Sequence, residues 1–221
     1  SGLLEDALFE PFAGVYATKM IPNPQARPDA RFRKLMEALK LVYATVFFRS
    51  AKNYIRKVGR SVTDEKMAVI LQQIVGTKSG DRHYPDVSGV ARSYNYYAMG
   101  AMQPRDGVVS LALGLGKTIV DGDACWLYSP AYPSASPPVG SIAELMERTQ
   151  ADFWAVNMGK DPPYDPVNEA EYLVKLNITD AESDERLGLL ASTYDAQSER
   201  LRPGTSSARR SPPSPCRGGR K

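Results

Sequence analysis

An α+β fold is the class that this sequence predicts, and three features of its pattern indicate it. Residues 29–57 place apolar side chains three and four positions apart, which favours a long helix. Short apolar or β-rich runs follow at residues 66–76, 86–97 and 107–113, as is typical of strands. Because strands and helices come in separate blocks along the chain, we expect a mostly antiparallel sheet with a long packing helix.

The first predicted strand covers residues 12–21, FAGVYATKMI, which are rich in β-forming side chains and follow a proline. Pro22 and Pro24 break the chain after it. Asp29 then suits the N-cap of the long helix, since its carboxylate can accept from free amides of the first turn. The opposite face of that helix is basic, and a face of this kind is usually a solvated one.

The sequence patterns of the central segments predict strands that differ in burial. KMAVILQQIVG, residues 66–76, is a continuous apolar run that ends in glycine, so it suits a strand buried on both faces. Residues 86–97 and 107–113 give the second and third strands of this block. Three tyrosines in the first of them are explained by β-propensity, although they also suit stacking on a ring. A proline-rich loop follows Gly122.

The last third of the chain returns to helical patterns. Residues 141–158 predict a helix with Ser141 as N-cap and Glu144 at the capping-box position. Residues 166–190 are mixed and helical in part, and residues 189–201 predict a final strand. We find no internal repeat in the sequence.

The C-terminal segment, residues 203–221, has a different composition from the rest. It holds five basic residues and no acidic one, which leaves 23 basic against 25 acidic residues in positions 1–202. Proline, glycine, serine and arginine cannot build a core, so this tail is predicted to be disordered. A basic arm for nucleic acid and a frameshifted or flexible end are the alternatives. The abrupt change and the lack of aromatic residues for base stacking favour the second, and make nucleic acid an unexpected partner.

Composition and spacing exclude several further classes. No apolar run reaches about 18 residues, so no membrane span is expected, and the first residues lack the pattern of a signal peptide. Cys125 and Cys216 stand far apart without companions, which fits a reducing cytoplasm. His83 is the single histidine, so a zinc site is not expected.

LALGLGKTIVDG, residues 111–122, contains glycines followed by Lys117 and Thr118, as a phosphate-binding loop does. The spacing of a P-loop requires glycine at position 111, where the chain has leucine. A dinucleotide-binding fingerprint requires glycine at position 119, where the chain has isoleucine. The stretch is therefore predicted to be a strand that ends in a glycine turn.

Four motifs, taken in order, resemble the ATP-grasp domain of the phosphoenolpyruvate synthase and pyruvate phosphate dikinase family. SGLLEDALFEPFAGVYATKMIPN is similar to that family's segment with E-D, S-F-A-G and T-x-L-N, and KMAVILQQIVG is similar to its M-A-V-V-V-Q-x-M-V strand. DVSGVARS and LALGLGKTIVDG resemble its S-G-V-A-F-T/S and W-G-L-G-E-x-V-V-x-G segments. Since the four keep the family's order, their combination is far more specific than any one of them.

The resemblance implies a partial ATP-grasp fold and an ATP site. Residues 1–122 correspond to its nucleotide-binding core, and residues 123–202 to a helical insertion and return strand of the same domain. Gly14 and Thr18 are implied to contact the nucleotide phosphates, because glycine lets the backbone approach and a hydroxyl can donate to phosphate oxygen. The strand that leads into the adenine hinge implies contacts from a second group: Gln72, Gln73, Ile74 and Val75.

The resemblance further implies a phosphotransferase in which ATP phosphorylates a histidine that then phosphorylates pyruvate. Several parts of that machinery have no match here: the phosphate-binding arginine and lysine, the late acidic motif for Mg²⁺, and the histidine motif, which His83 in GDRHYPD does not fit. Lys117 also stands where the family usually has glutamate. Because phosphoryl transfer depends on such charges, no catalytic or metal residue is assigned and the chain alone is expected to be inactive. A non-catalytic nucleotide-binding or regulatory module is the alternative.

Overall fold

The computed structural model describes residue 2 and residues 14–133, 141–188, 190–198 and 200–204. The chain divides into two compact units: Ser1–Tyr84 with Ala155–Val174, and Pro85–Trp154 with Lys175–Lys221. The predicted division after residue 122 remains a prediction. The predictions for residues 1, 3–13 and 205–221, which include most of the predicted disordered tail, lie outside the described residues.

The long helix of the first unit is broken, which corrects the single helix predicted over residues 29–57. Helix α1 spans Pro28–Ala44, a 3₁₀ turn spans Thr45–Phe47, and helix α2 spans Arg49–Lys57. Phe48 between them is extended, with ψ of 155°, so the helical path cannot continue. The buried Thr45 hydroxyl donates to the carbonyl of Val42 at 2.6 Å, a local bond that competes with regular helix.

The start of α1 also differs from the prediction. Arg27 is the N-cap and Pro28 occupies the first helical turn, a position that suits proline because its missing amide costs no helical bond. Asp29 lies in the first turn instead, where its negative charge stabilises the helix through a favourable interaction with the helix dipole.

Two strands predicted for the first unit are absent from its described residues. Residues 17–21 are irregular, and in residues 66–76 only Met67 forms a bridge, antiparallel to Gly2. The second prediction required burial, yet Ile70 and Val75 are 75% and 79% exposed. An apolar run gives a strand only where neighbouring strands cover it, so the pattern alone misled the prediction.

Three sheets organise the described strands. The four-stranded sheet has the order β1-β2-β6-β7, the three-stranded sheet the order β3-β4-β5, and β8 pairs with β9. The strands span Thr77–Ser79 (β1), Arg82–Tyr84 (β2), Ser88–Arg92 (β3), Val108–Ala112 (β4), Trp126–Tyr128 (β5), Asp152–Asn157 (β6), Leu173–Asn177 (β7), Ser192–Asp195 (β8) and Arg200–Pro203 (β9). β3 and β4 confirm the strands predicted within residues 86–97 and 107–113, and β5 falls inside the predicted proline-rich loop.

The helix predicted over residues 141–158 is correct only at its start. Ser141 caps α4, Ile142–Glu147, and its hydroxyl accepts from the amide of Glu144 at 3.1 Å. From Asp152 the chain forms β6 instead. Phe153 and Ala155 on that strand are fully buried, so packing of an apolar strand prevails over the helical continuation.

The short helices α3, Lys117–Val120, and α5, Ile178–Ser183, complete the α-helices of the described residues, which also contain 3₁₀ turns at Val62–Asp64 and Pro104–Asp106. Asn177 and Asp180 form a capping box at the start of α5. The strand predicted at residues 189–201 is a hairpin, β8 and β9. Gly204, which we assigned to the tail, donates its amide to the carbonyl of Ala191 at 3.0 Å.

The α+β class is confirmed, because the helices accompany antiparallel sheets. The antiparallel pairs are β1–β2, β2–β6, β3–β4, β4–β5 and β8–β9. In the first unit, Tyr16, Val46 and Ala51 form a buried cluster against which Val15 and Met67 pack. Within the described part of the chain, no helix combines the length and apolar character that crossing a membrane requires.

Candidate functional site

The turn at Gly14 is the first of the predicted contact positions. Its φ of +85° is a left-handed conformation that favours glycine. A β-carbon placed there would meet no atom of the described residues within 4 Å, so on their side the space beside the backbone is open. Two residues later, Tyr16 is only 8% exposed and anchors the turn in the core. The backbone of Gly14 is therefore held by its neighbours but can be approached from solvent.

Thr18 follows on a segment that is fastened on both sides of it. Its own side chain is exposed. The amide of Ala17 donates to the Thr45 hydroxyl at 3.4 Å, and the Lys19 ammonium lies in a buried ion pair with Glu171 at 2.7 Å. The residues on either side of Thr18 are thus bonded to other parts of the unit, while Thr18 itself is exposed.

The predicted hinge is also open to solvent. Gln72, Gln73 and Val75 are exposed and Ile74 is half-buried. The carbonyl oxygen of Ile74 lies 3.4 Å from Nε2 of His83 on β2. Among the described residues, no hydrogen bond or ion pair links these four residues directly to Gly14 or Thr18. The structure therefore shows the two groups as accessible, in the same unit, without a direct bond between them.

The turn at Gly114 has the opposite character. Gly114 also has a left-handed φ, +78°, but a β-carbon there would lie 2.7 Å from the carbonyl oxygen of Trp154. The amide of Leu115 donates to that same oxygen at 2.9 Å. Gln150 uses its side-chain amide to bind both the N–H and the C=O of Leu113, at 2.8 and 3.0 Å. The backbone groups of Leu113 and Leu115 at this turn are therefore hydrogen-bonded within the protein.

Lys117 after this turn does not behave as a phosphate-binding lysine. Its ammonium pairs with Asp121 at 3.0 Å and lies 5.5 Å from the ring centre of Trp154. A P-loop directs its amides and lysine at one ligand. The interpretation of LALGLGKTIVDG as a strand and glycine turn is confirmed, since β4 ends at Ala112 and the turn follows it.

The structure contains a buried polar network beside Thr18 that the sequence patterns did not predict. The side chains of Lys19 and Glu171 are only 3% and 2% exposed. The other carboxylate oxygen of Glu171 accepts from the amide of Asp165 at 2.9 Å, and Lys19 also donates to the carbonyl of Asn168. Since 152 residues separate the two partners, no local spacing could have predicted their pairing.

Tyr172 extends this network. The ammonium of Lys34 lies 4.6 Å from its ring centre and that of Lys19 at 5.3 Å. Burial, followed by the negative charges of Glu171 and Asp161, raises the pKa of the Tyr172 phenol to about 12. The hydroxyl is therefore protonated at neutral pH, and both ammonium groups lie over an uncharged ring.

The turn at Gly14 and the side chain of Thr18 are thus both accessible to solvent within the described residues. The family described as pyruvate phosphate dikinase, AMP/ATP-binding domain, matches residues 1–136, and the chain belongs to that family. Comparison with curated proteins and with solved structures gives no match.

The family match covers all six predicted contact residues and the Gly114 turn, and it supports an adenine nucleotide as the ligand. It ends before α4, so Glu171 and the turn around it lie outside the matched residues. Within the part of the chain that the structure describes, no group of three or more histidine, cysteine, aspartate or glutamate side chains is placed to hold a metal ion.

Proposed function

We propose that this chain is the ATP-binding part of a phosphotransferase of the phosphoenolpyruvate synthase and pyruvate phosphate dikinase type. In such an enzyme ATP phosphorylates a histidine, which then phosphorylates pyruvate. The observation that carries the proposal is the family match over residues 1–136, which includes the open turn at Gly14. The ATP-grasp architecture is part of this proposal, as is the location of the enzyme in the cytoplasm.

The nucleotide phosphates are proposed to lie beside Gly14 and Thr18. The empty space at Gly14 fits the close approach of a phosphate to backbone, and the exposed Thr18 hydroxyl is free to donate to a phosphate oxygen. A hydrogen bond to a charged group is worth about 1.5–3 kcal/mol, so loss of the Thr18 hydroxyl is expected to weaken ATP binding by at least about tenfold.

Adenine is proposed to contact the segment Gln72, Gln73, Ile74 and Val75. Backbone groups of an exposed hinge can pair with the edge of the base, and aliphatic side chains can cover its face. Val75 is 79% exposed and so has apolar surface for such a contact. The affinity for adenosine, which carries no phosphate, should depend on this segment and be independent of Thr18.

The chain alone is proposed to bind ATP weakly and to form no AMP. Mg²⁺ neutralises charge on the phosphates in such enzymes, and carboxylates would be its ligands, yet the acidic motif that would supply them is missing from the sequence. A non-catalytic nucleotide-binding module has the same binding residues, and the two functions differ in turnover once the missing parts are supplied.

Titration of the chain with ATP and with adenosine, followed by two-dimensional NMR, tests the site. We expect both ligands to shift signals of residues 72–75, and ATP alone to shift those near Gly14. T18A should weaken ATP about tenfold and leave adenosine unchanged, whereas T63A, an exposed threonine of the same unit, should change neither. Calorimetry with Mg-ATP completes the test: micromolar affinity together with AMP formation would contradict the claim of an incomplete site.

A further inference from the structure

The segment that carries Thr18 is tied to a part of the chain that the family match does not reach. Lys19 lies within the matched residues and Glu171 lies outside them. Their charged atoms are 2.7 Å apart, and both side chains are almost completely buried. An ion pair so well removed from water forms only where geometry and further hydrogen bonds compensate for the lost hydration.

Those further bonds are present and come from one short turn. Glu171 Oε1 accepts from the amide of Asp165, and the carbonyl of Asn168 accepts from Lys19 at 2.5 Å. The turn is closed by its own backbone, because the amide of Asn168 donates to the carbonyl of Asp165 and that of Glu171 to Asn168. Lys19 is therefore held by two acceptors of the 165–171 turn, the Glu171 carboxylate and the Asn168 carbonyl.

The consequence for Thr18 follows from its place in the chain. Ala17 is bonded to Thr45 and Lys19 to Glu171, so the residues on either side of Thr18 are both anchored. A group that must meet a phosphate gains affinity when its backbone is fixed beforehand, since less conformational entropy is lost on binding. Loss of one anchor would leave the Thr18 hydroxyl in place on average but free to move.

We propose that the buried Lys19–Glu171 pair is a positioning element that fastens residues 17–21 to the 165–171 turn and so fixes Thr18 for the nucleotide phosphates. This inference rests on the proposed function, because it assigns Thr18 to a phosphate. Neither residue touches the ligand in this account: both act through the backbone of Thr18.

Three variants of the full chain separate this role from simple folding. K19M removes the ammonium and leaves the Glu171 charge buried without its partner, so it is liable to unfold. K19M/E171Q removes both charges and keeps an amide oxygen for the Asp165 amide, so it is expected to fold. K34M is the matched control, since Lys34 contacts the same Tyr172 ring but pairs with Asp161, whose side chain is 56% exposed.

Amide hydrogen exchange gives the first readout and needs no ligand. In K19M/E171Q we expect exchange within residues 17–21 to rise about tenfold, while α2 exchanges as in the wild type. K34M should leave residues 17–21 unchanged. Unaltered exchange of this segment in K19M/E171Q would overturn the proposal, whatever the chain binds.

Titration with ATP and with adenosine gives the second readout. K19M/E171Q should raise the Kd for ATP about fivefold, less than T18A does, and leave that for adenosine within about twofold, a split that general destabilisation would not produce. If T18A weakens ATP binding and K19M/E171Q does not, the proposed function stands and the positioning role falls. If ATP shifts no signals of the wild-type chain at millimolar concentration, the proposed function falls and the nucleotide half of this inference with it, while exchange still decides whether the pair fastens the segment.

Discussion

The chain contains two glycine turns with nearly the same backbone conformation and opposite surroundings. Gly14 and Gly114 have φ of +85° and +78°. A β-carbon on Gly14 would meet no atom of the described residues within 4 Å, whereas one on Gly114 would lie 2.7 Å from the Trp154 carbonyl oxygen and 2.8 Å from the Phe153 ring. The described residues leave the space beside Gly14 open, and strand β6 fills the space beside Gly114.

The function of a glycine-rich motif therefore cannot be identified from its composition alone. LALGLGKTIVDG has the residue types of a phosphate loop, yet Gln150 and Trp154 occupy its backbone at Leu113 and Leu115. FAGVYAT has a single glycine, and its turn is the open one. The amides of Leu113 and Leu115 are engaged with the protein, so they are not available to a phosphate.

Replacement of Gly114 by alanine should have the largest effect. The left-handed φ costs about 1–2 kcal/mol for a residue with a β-carbon, and the close contacts add about 1–3 kcal/mol, so we expect a loss of about 2–5 kcal/mol. Urea unfolding followed by circular dichroism measures the free energy of unfolding. G116A is the matched control, because Gly116 has a helical φ of −60° and its nearest contact is an ordinary 3.8 Å. Equal stability of G114A and G116A would contradict the packing role.

Truncation of Gln150 to alanine should cost about 2 kcal/mol, measured by the same urea titration. Leu113 is only 9% exposed, and its N–H and C=O would both lose the partner that the Gln150 side chain supplies. The exposed Gln197, in the same unit, provides the control Q197A, for which no measurable change is expected. A loss no greater than that of Q197A would show that water replaces the Gln150 amide at no cost.

The sequence predicted the fold class and the strands β3 and β4, because their alternation and their glycine boundaries are local signals. It failed where distant packing decides. The pattern around Phe153 and Ala155 predicts a helix, yet both residues lie in a buried strand. The apolar run at residues 66–76 predicts burial, yet Val75 is 79% exposed. Neither outcome depends on nearby residues alone.

The candidate site divides in the same way. Gly14 and Thr18 could be proposed from a local motif, because their spacing is fixed within one short segment. Lys19 could not, since it is a lone cation in an apolar stretch and its partner is 152 residues away. Only the folded chain brings Glu171 to it. Contacts that fix a binding segment from a distance are therefore the part of a site that spacing cannot reveal.

Removal of the Ser88 hydroxyl by alanine should cost about 1–1.5 kcal/mol. Ser88 Oγ donates to the carbonyl of Gly114 at 2.6 Å, so the bond stabilises the packed turn from β3. The carbonyl keeps access to other donors after the substitution, which is why the loss is expected to be smaller than for Q150A. The midpoint of thermal unfolding checks this order, and a loss larger than that of Q150A would reverse it.

Replacement of Gly14 by alanine should have the smallest effect on stability and the clearest effect on binding. The open surroundings leave only the cost of a positive φ, about 1 kcal/mol, which is partly offset by the lower entropy of the unfolded chain. G59A matches it, because Gly59 in the same unit also has a positive φ, +70°, and no atom within 4 Å of a β-carbon. The two variants should therefore unfold alike in urea, while only G14A weakens ATP binding in an NMR titration, because its new methyl group occupies the space proposed for phosphate. Equal ATP affinity of G14A and G59A would show that the open space beside Gly14 does not bind the phosphates of ATP. The turns at Gly14 and Gly114 would then differ in packing alone.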